Sequence, residues 1–243
     1  MIVANLRRSL ERNDAQLALR LIARGSDPEL RELENVLRDE GMDAILDDPR
    51  LLQALVETPR SAHASLPLFV YVVVRHALRT LGESDRTLAD YLASVVVHFA
   101  ARDRAWRVGV ADDEVYRTLV GMLADVDGPD ARRAFLVRAH LGNHALWLSG
   151  LFPDHIEHRR WRRGGPDLEY YEELGRRGFR LAAEHRLAAE HGMALLFGTV
   201  ADRFPVLRHA LNDVSDRLLF PNRFTPERLM RQVRTTMRAR WEG

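Results

Sequence analysis

The sequence predicts an all-α protein, a multi-helix bundle around a central apolar helix hairpin at about 66–102. Three observations carry that expectation. Apolar residues recur at steps of three and four through most of the chain, helix start and stop residues bound those runs, and no stretch alternates apolar and polar residues as a half-buried strand does. At 243 residues the chain is long enough for one substantial core or a main domain with a small appendage. Composition shifts predict three regions: an acidic N-terminal helical region at 1–60, a main helical bundle at 61–222 and a basic C-terminal helix at 223–243.

Two short helices are expected at 5–10 and 15–23. Ser26-Asp27-Pro28-Glu29 then combines a cap, a first-turn proline and an acid three residues after the cap, so a helix should run to Asp39 with Leu30, Leu33, Val36 and Leu37 as its apolar stripe. Asp48-Pro49 opens another short helix. Residues 58–65, small and polar with one proline, read as a linker. The run 66–81 is apolar around its whole circumference. Its valines would suit a strand, but its length and the Arg75-His76-Ala77-Leu78-Arg79 continuation favour helix. A partner helix at 85–102, capped by Ser84, carries Leu88, Leu92, Val95 and Phe99 at helical spacing. A loop with Trp106 and Asp112-Asp113-Glu114 leads to a short helix near 115–124.

Gly128-Pro129-Asp130 starts the helix that holds the most chemistry, 131–150. It carries Phe135, Leu141, Leu146 and Leu148 on an apolar side, with His140, Asn143, His144 and Trp147 clustered on another. Gly142, Ala145 and Ser149 make a groove of small side chains. Gly175, Gly178 and Ala182 repeat that spacing on the helix expected at 168–186, so the two should pack unusually closely. Residues 151–166 are expected to be partly helical at most. From Met193 to Leu218 apolar residues alternate steps of four and three, and Pro205 inside that stripe should kink or break the helix around 201–205. A last helix opens at Thr225-Pro226-Glu227.

All 36 basic residues are arginine, which excludes lysine-dependent chemistry such as a P-loop or a Schiff base. The absence of cysteine excludes disulfides, thiolate metal sites and a cysteine nucleophile. With no secretory h-region after Met1 and no apolar run long enough to span a bilayer, the expected location is cytoplasmic. The net charge of +1 conceals a separation of sign. Residues 1–60 sum to −3, residues 61–129 to −2 and residues 130–243 to +6.

His140 and His144, one turn apart, can supply two positions of a divalent metal, with His155 and His158 near in sequence. Neither Glu-x-x-His nor His-Glu-x-x-His is present, and hydrogen-bonded histidines on a polar helix face are the plainer reading. Asp39, Asp43 and Asp47 lie four apart like the acids of Mg²⁺-pyrophosphate enzymes, but Gly41 interrupts them, and Asn212, Asp213 and Ser215 have the wrong spacing for the companion site. Ser149 lacks the preceding glycine and the strand of a nucleophile elbow. No catalytic residue and no cofactor is legible. Arg159, Arg160, Arg162 and Arg163 around Trp161, with Arg228, Arg231, Arg234 and Arg238 on the final helix, offer guanidinium forks and a stacking face to an acidic surface; a solvated loop is the alternative.

Residues 141–153, LGNHALWLSGLFP, followed by PDLEYYEELG at 166–175, resemble a group of uncharacterised all-helical bacterial proteins. The likeness covers about 65–220. It implies helical architecture and transfers no activity or catalytic residue. The function expected is therefore a non-catalytic helical protein that binds a protein partner or itself through its basic C-terminal half, with nucleic acid a less favoured ligand. The alternative is a metal-dependent enzyme centred on His140 and His144.

Overall fold

The computed structural model describes residues 1–101, 104–108, 116, 119–222 and 225–232, and among them every regular element is helical. The chain divides into two compact units, Ile2–Ala105 and Trp106–Gly243 together with Met1.

The first unit contains α1 (Arg12–Ala23), α2 (Asp27–Asp39), α3 (Met42–Leu46), α4 (Pro49–Glu57), α5 (Leu66–Thr80) and α6 (Arg86–Ala100). Ser26 accepts the Glu29 N–H as the cap the sequence marks, and Ser65, the last residue of the expected linker, caps α5 by accepting the Leu68 N–H. For α6 the cap is Asp85, not Ser84, and it accepts from Thr87 N at 2.7 Å. The α5–α6 hairpin is the apolar core of this unit. Tyr71, Val72, Leu78, Leu88, Tyr91, Leu92 and Val95 are fully buried. The expected linker forms a 3-10 helix, Pro59–His63, between α4 and α5 inside this unit.

Asp47, in the turn after α3, ties that turn to the hairpin. Its carboxylate accepts from Arg75 Nε at 2.8 Å and Arg86 Nη2 at 2.7 Å, and its carbonyl accepts from Arg79 Nη1 at 2.7 Å. Burial alone would raise the carboxyl, but the hydrogen bonds from Arg75 and Arg86 outweigh it and hold the pKa down to about 2, below the ordinary 3.8. A depressed folded-state pKa contributes stability that is complete above the unfolded value and lost as pH falls through the folded one. Asp47 should therefore contribute about 2 kcal/mol at neutral pH, declining between about pH 4 and pH 2. Urea midpoints at pH 5.5 and pH 2.5 for wild type and Asp47→Asn test this. A variant that loses as much stability on acidification as the wild type would exclude it.

The second unit contains α7 (Leu119–Asp125), α8 (Ala131–Leu151), α9 (Pro153–Arg163), α10 (Leu168–Ala183), α11 (Arg186–Glu190) and α12 (Ala194–Val214). A π-helical turn, Ser215–Leu219, extends α12, and residues 226–232 form a last helical segment. The helix α8 is the centre of this unit, buried on both its apolar and its polar sides, and it packs most extensively on α10 and then on α12.

The close pair of helices is present. A Cβ built on Gly178 would lie 2.8 Å from Gly142 N and 3.0 Å from the Arg138 carbonyl oxygen, so only glycine permits the two backbones to meet there. By contrast α12 is not broken at Pro205. Proline removes one hydrogen bond and crowds the carbonyl four residues back, costing about 3 kcal/mol. Ala201, Phe204, Leu207 and Leu211 around it are all fully buried, and at about 1.5–3 kcal/mol for each large side chain their packing outweighs that cost.

Residues 153–163 also differ from expectation, because they form a complete helix. Pro153 opens α9, Asp154 sits in its first turn, arginines fill its last turn, and Gly164 closes it in the left-handed region at φ 61°.

Candidate functional site

Two places carry the candidate residues, the buried polar side of α8 and the exposed side of α9. In α8, His140 and His144 are 6% and 1% exposed, with ring centroids 6.1 Å apart. Trp106 meets the His144 ring edge-on at 4.9 Å and Trp147 at 5.9 Å, so two indoles enclose that imidazole. Asn143 is buried beside them. Among the described residues no group of three or more histidine and carboxylate side chains is placed to hold a metal ion. His155 and His158 lie exposed on α9 and complete no such group with the pair.

Two of the acids weighed as a magnesium motif, Asp43 and Asp47, are occupied by arginine. Asp43 accepts from Arg7 at 2.7 Å, and Asp47 is held by Arg75 and Arg86. Asp112, Asp113 and Glu114 lie outside the described residues. Asn212 and Ser215 have a structural use. Asn212 Nδ2 donates to the carbonyls of Ser149 and Gly150 at 2.9 and 2.6 Å, and Ser215 Oγ donates to that of Leu151 at 2.7 Å. They thereby satisfy three of the four carbonyls that the end of α8 leaves without partners. Arg208 braces Asn212 at 3.0 Å and pairs with Glu172 of α10 at 3.0 Å. Ser149 donates to the Ala145 carbonyl at 2.6 Å and is a packing residue.

No protein family, curated protein or solved structure matches this chain.

On α9, Ile156 and Glu157 turn inward while His155, His158, Arg159, Arg160, Trp161, Arg162 and Arg163 are exposed. Trp161, at 67%, is among the most exposed large apolar side chains in the protein. Arg160 lies 3.9 Å from Asp167. Among the described residues no carboxylate comes within 4.0 Å of Arg159, Arg162 or Arg163.

The final helical segment corrects part of the charge reading. Arg231 is only 7% exposed, and its guanidinium binds Asp216 at 2.9 Å and Asp154 at 2.8 Å. Arg228, 5% exposed, binds the same two carboxylates at 3.2 Å and donates to the Phe220 carbonyl at 2.7 Å. Burial disfavours the Arg231 cation, but the hydrogen bonds to Asp216 and Asp154 outweigh it and raise its pKa. Arg231 is thus an internal tether and offers nothing to a partner, while Arg234 and Arg238 lie outside the described residues. Reasoning from sequence missed Asp154 and Asp216, which lie 77 and 15 positions from Arg231 and carry no local signal. It also missed that His155 and His158 share a face with Arg159, Arg162 and Arg163. That spacing becomes legible once 153–163 is recognised as a helix.

Proposed function

We propose that this protein is a non-catalytic binding protein of the cytoplasm that engages an acidic protein surface, a second copy of itself foremost, through the exposed basic side of α9. One observation carries the reading. Arg228 and Arg231 are neutralised internally by buried aspartates, whereas Arg159, Arg162 and Arg163 stand unpaired among the described residues beside an exposed tryptophan. Tryptophan and arginine are the residue types that anchor protein interfaces, and a guanidinium fork matches a carboxylate in two places. The −5 sum over residues 1–129 gives a second copy the complementary sign.

Sedimentation across a salt series is the test, with wild type compared to a variant in which Arg159, Arg160, Arg162 and Arg163 are glutamine. Exposed charges are screened over ~10 Å at 0.1 M ionic strength, so association should weaken steeply with salt and be lost in the variant. A parallel series with short RNA and DNA separates nucleic acid as the ligand, whose salt slope should flatten by about one unit per phosphate contact removed. Wild type and variant both monomeric at every salt concentration would sink self-association.

The second reading, a metal-dependent enzyme, is favoured by the side-by-side burial of His140 and His144. Metal analysis of protein purified without a histidine tag decides between them. Under the binding reading no stoichiometric metal is present. Iron, zinc or manganese at one equivalent, lost in His140→Ala/His144→Ala, would replace it with the enzyme.

A further inference from the structure

The exposed side of α9 is also concave. His155, His158, Arg159, Arg162 and Arg163 line a depression of about 390 Å³, within the range of small-molecule sites, about 300–1,000 Å³. They recur at i, i+3, i+4, i+7 and i+8, so a single helix side presents all of them, over about 12 Å at 1.5 Å per residue. Every side chain that lines the depression is a histidine or an arginine. Three groups approach from neighbouring elements. Glu227 lies 3.6 Å from His158, Tyr171 of α10 is close enough for its hydroxyl to feel Arg159, and Asp167 pairs with Arg160 on the adjoining side.

The charge count narrows the ligand. Three guanidiniums supply three permanent positive charges, and the two imidazoles add to that only when protonated, with Glu227 beside one of them. A carboxylate would leave most of this uncompensated. A phosphate monoester carries about 1.5–2 negative charges near neutral pH, and a second phosphoryl group brings the total to the level of the three arginines. Guanidinium is also the side chain best matched to phosphoryl oxygens, which it contacts in pairs. We infer that the depression on α9 is a binding site for a small diphosphate-type anion, held by Arg159, Arg162 and Arg163 with His155 and His158 completing its wall.

The site extends the reading of α9 as an acid-binding surface and does not depend on it, since a free anion needs no second macromolecule. The ring at His155 supplies a reporter. Burial, Arg159 and His158 hold its pKa below the ordinary 6.5. An anion seated against the arginines reverses part of that effect, so the imidazole should titrate at higher pH when the site is filled.

The experiment is calorimetric titration with inorganic pyrophosphate at constant low ionic strength, paired with NMR titration of the histidine rings. Wild type is compared with Arg159→Gln/Arg162→Gln/Arg163→Gln and with a control that loses three exposed arginines of the first unit, Arg12→Gln/Arg31→Gln/Arg38→Gln. Circular dichroism establishes that each variant is folded. One-site binding is expected, weakened at least ten-fold in the α9 variant and little changed in the control, with the His155 titration moving upward on saturation. No binding at millimolar pyrophosphate, or equal weakening in both variants, would overturn the site. ADP separates the sources. Affinity equal to that of pyrophosphate supports recognition of the diphosphate alone, whereas ADP binding ten-fold tighter would overturn it in favour of a nucleotide site. Salt-dependent self-association that persists without pyrophosphate binding would remove this site and leave the proposed partner surface standing.

Discussion

Alanine at Gly178 should lower the unfolding free energy by about 3 kcal/mol. The three atoms nearest to the methyl would all be backbone: Gly142 N at 2.8 Å, the Arg138 carbonyl oxygen at 3.0 Å and Gly142 Cα at 3.3 Å. Backbone inside a helix cannot rotate aside as a side chain can. The helices α8 and α10 would have to separate along the most extensive helix pair in the molecule, loosening contacts well beyond the substituted position. Alanine's higher helix propensity returns only about 1 kcal/mol. At Gly142 the new Cβ would meet the Phe179 ring at 2.8–2.9 Å, and because that ring is fully buried it has nowhere to turn. Gly142→Ala should therefore cost about 2 kcal/mol, and leucine at either position more. Urea unfolding of the single variants is the measurement; neutral or stabilising results at both positions would mean that the helices are not in backbone contact.

Removing Arg231 should have the other large effect, but a local one. In Arg231→Met, Asp154 and Asp216, whose side chains are 12% and 8% exposed in the wild type, lose their shorter ion-pair contacts. Breaking a buried pair from one side costs up to about 3–5 kcal/mol, and Arg228, still 3.2 Å from both carboxylates, offsets part of that here. Residues 226–232 should therefore loosen while the core of α8, α10 and α12 stays folded. Hydrogen exchange reads this directly. Amides of 226–232 should lose at least a hundred-fold in protection, and those of α8 should be unchanged. In Arg231→Met/Asp216→Leu the loss should be smaller than the sum of the two single effects, since replacing both partners leaves fewer stranded charges. Wild-type protection throughout 226–232 in Arg231→Met would show that the ion cluster does not hold the segment.

Most of this fold could be read locally. The cap at Ser26, the helix starts at 48–49 and 128–130, and the small-residue spacings of 142–149 and 175–182, are patterns within a turn or two of helix, and each appears in the structure. What stayed hidden depends on distant residues. Pro205 argues for a break on local grounds, and only the burial of its neighbours against other helices overrides it. Helical periodicity alone puts Arg231 on a basic side and says nothing of Asp154, 77 positions earlier. Asn212 and Ser215 look like fragments of a failed metal motif until the end of α8 is placed beside them. At α9 the start and stop residues were all visible, but the density of arginine masked them. Hence the basic stripe, the part of the candidate site with the clearest chemistry, was legible as composition and not as geometry.

The caps that α12 places on α8 have a consequence for how the chain is made. The carbonyls of Ser149, Gly150 and Leu151 find their donors 62–64 positions later, at Asn212 and Ser215. At about 5–20 residues per second of synthesis, those donors follow some 3–13 seconds after the helix they complete. During that interval the nascent α8 has neither its last-turn partners nor the burial that α10 and α12 provide, and its final turn frays. The second unit therefore closes from its C-terminal side. Its central helix is nearly the first of its elements to be synthesised and among the last to be finished, and a chain that stalls before residue 212 cannot complete the centre of this unit.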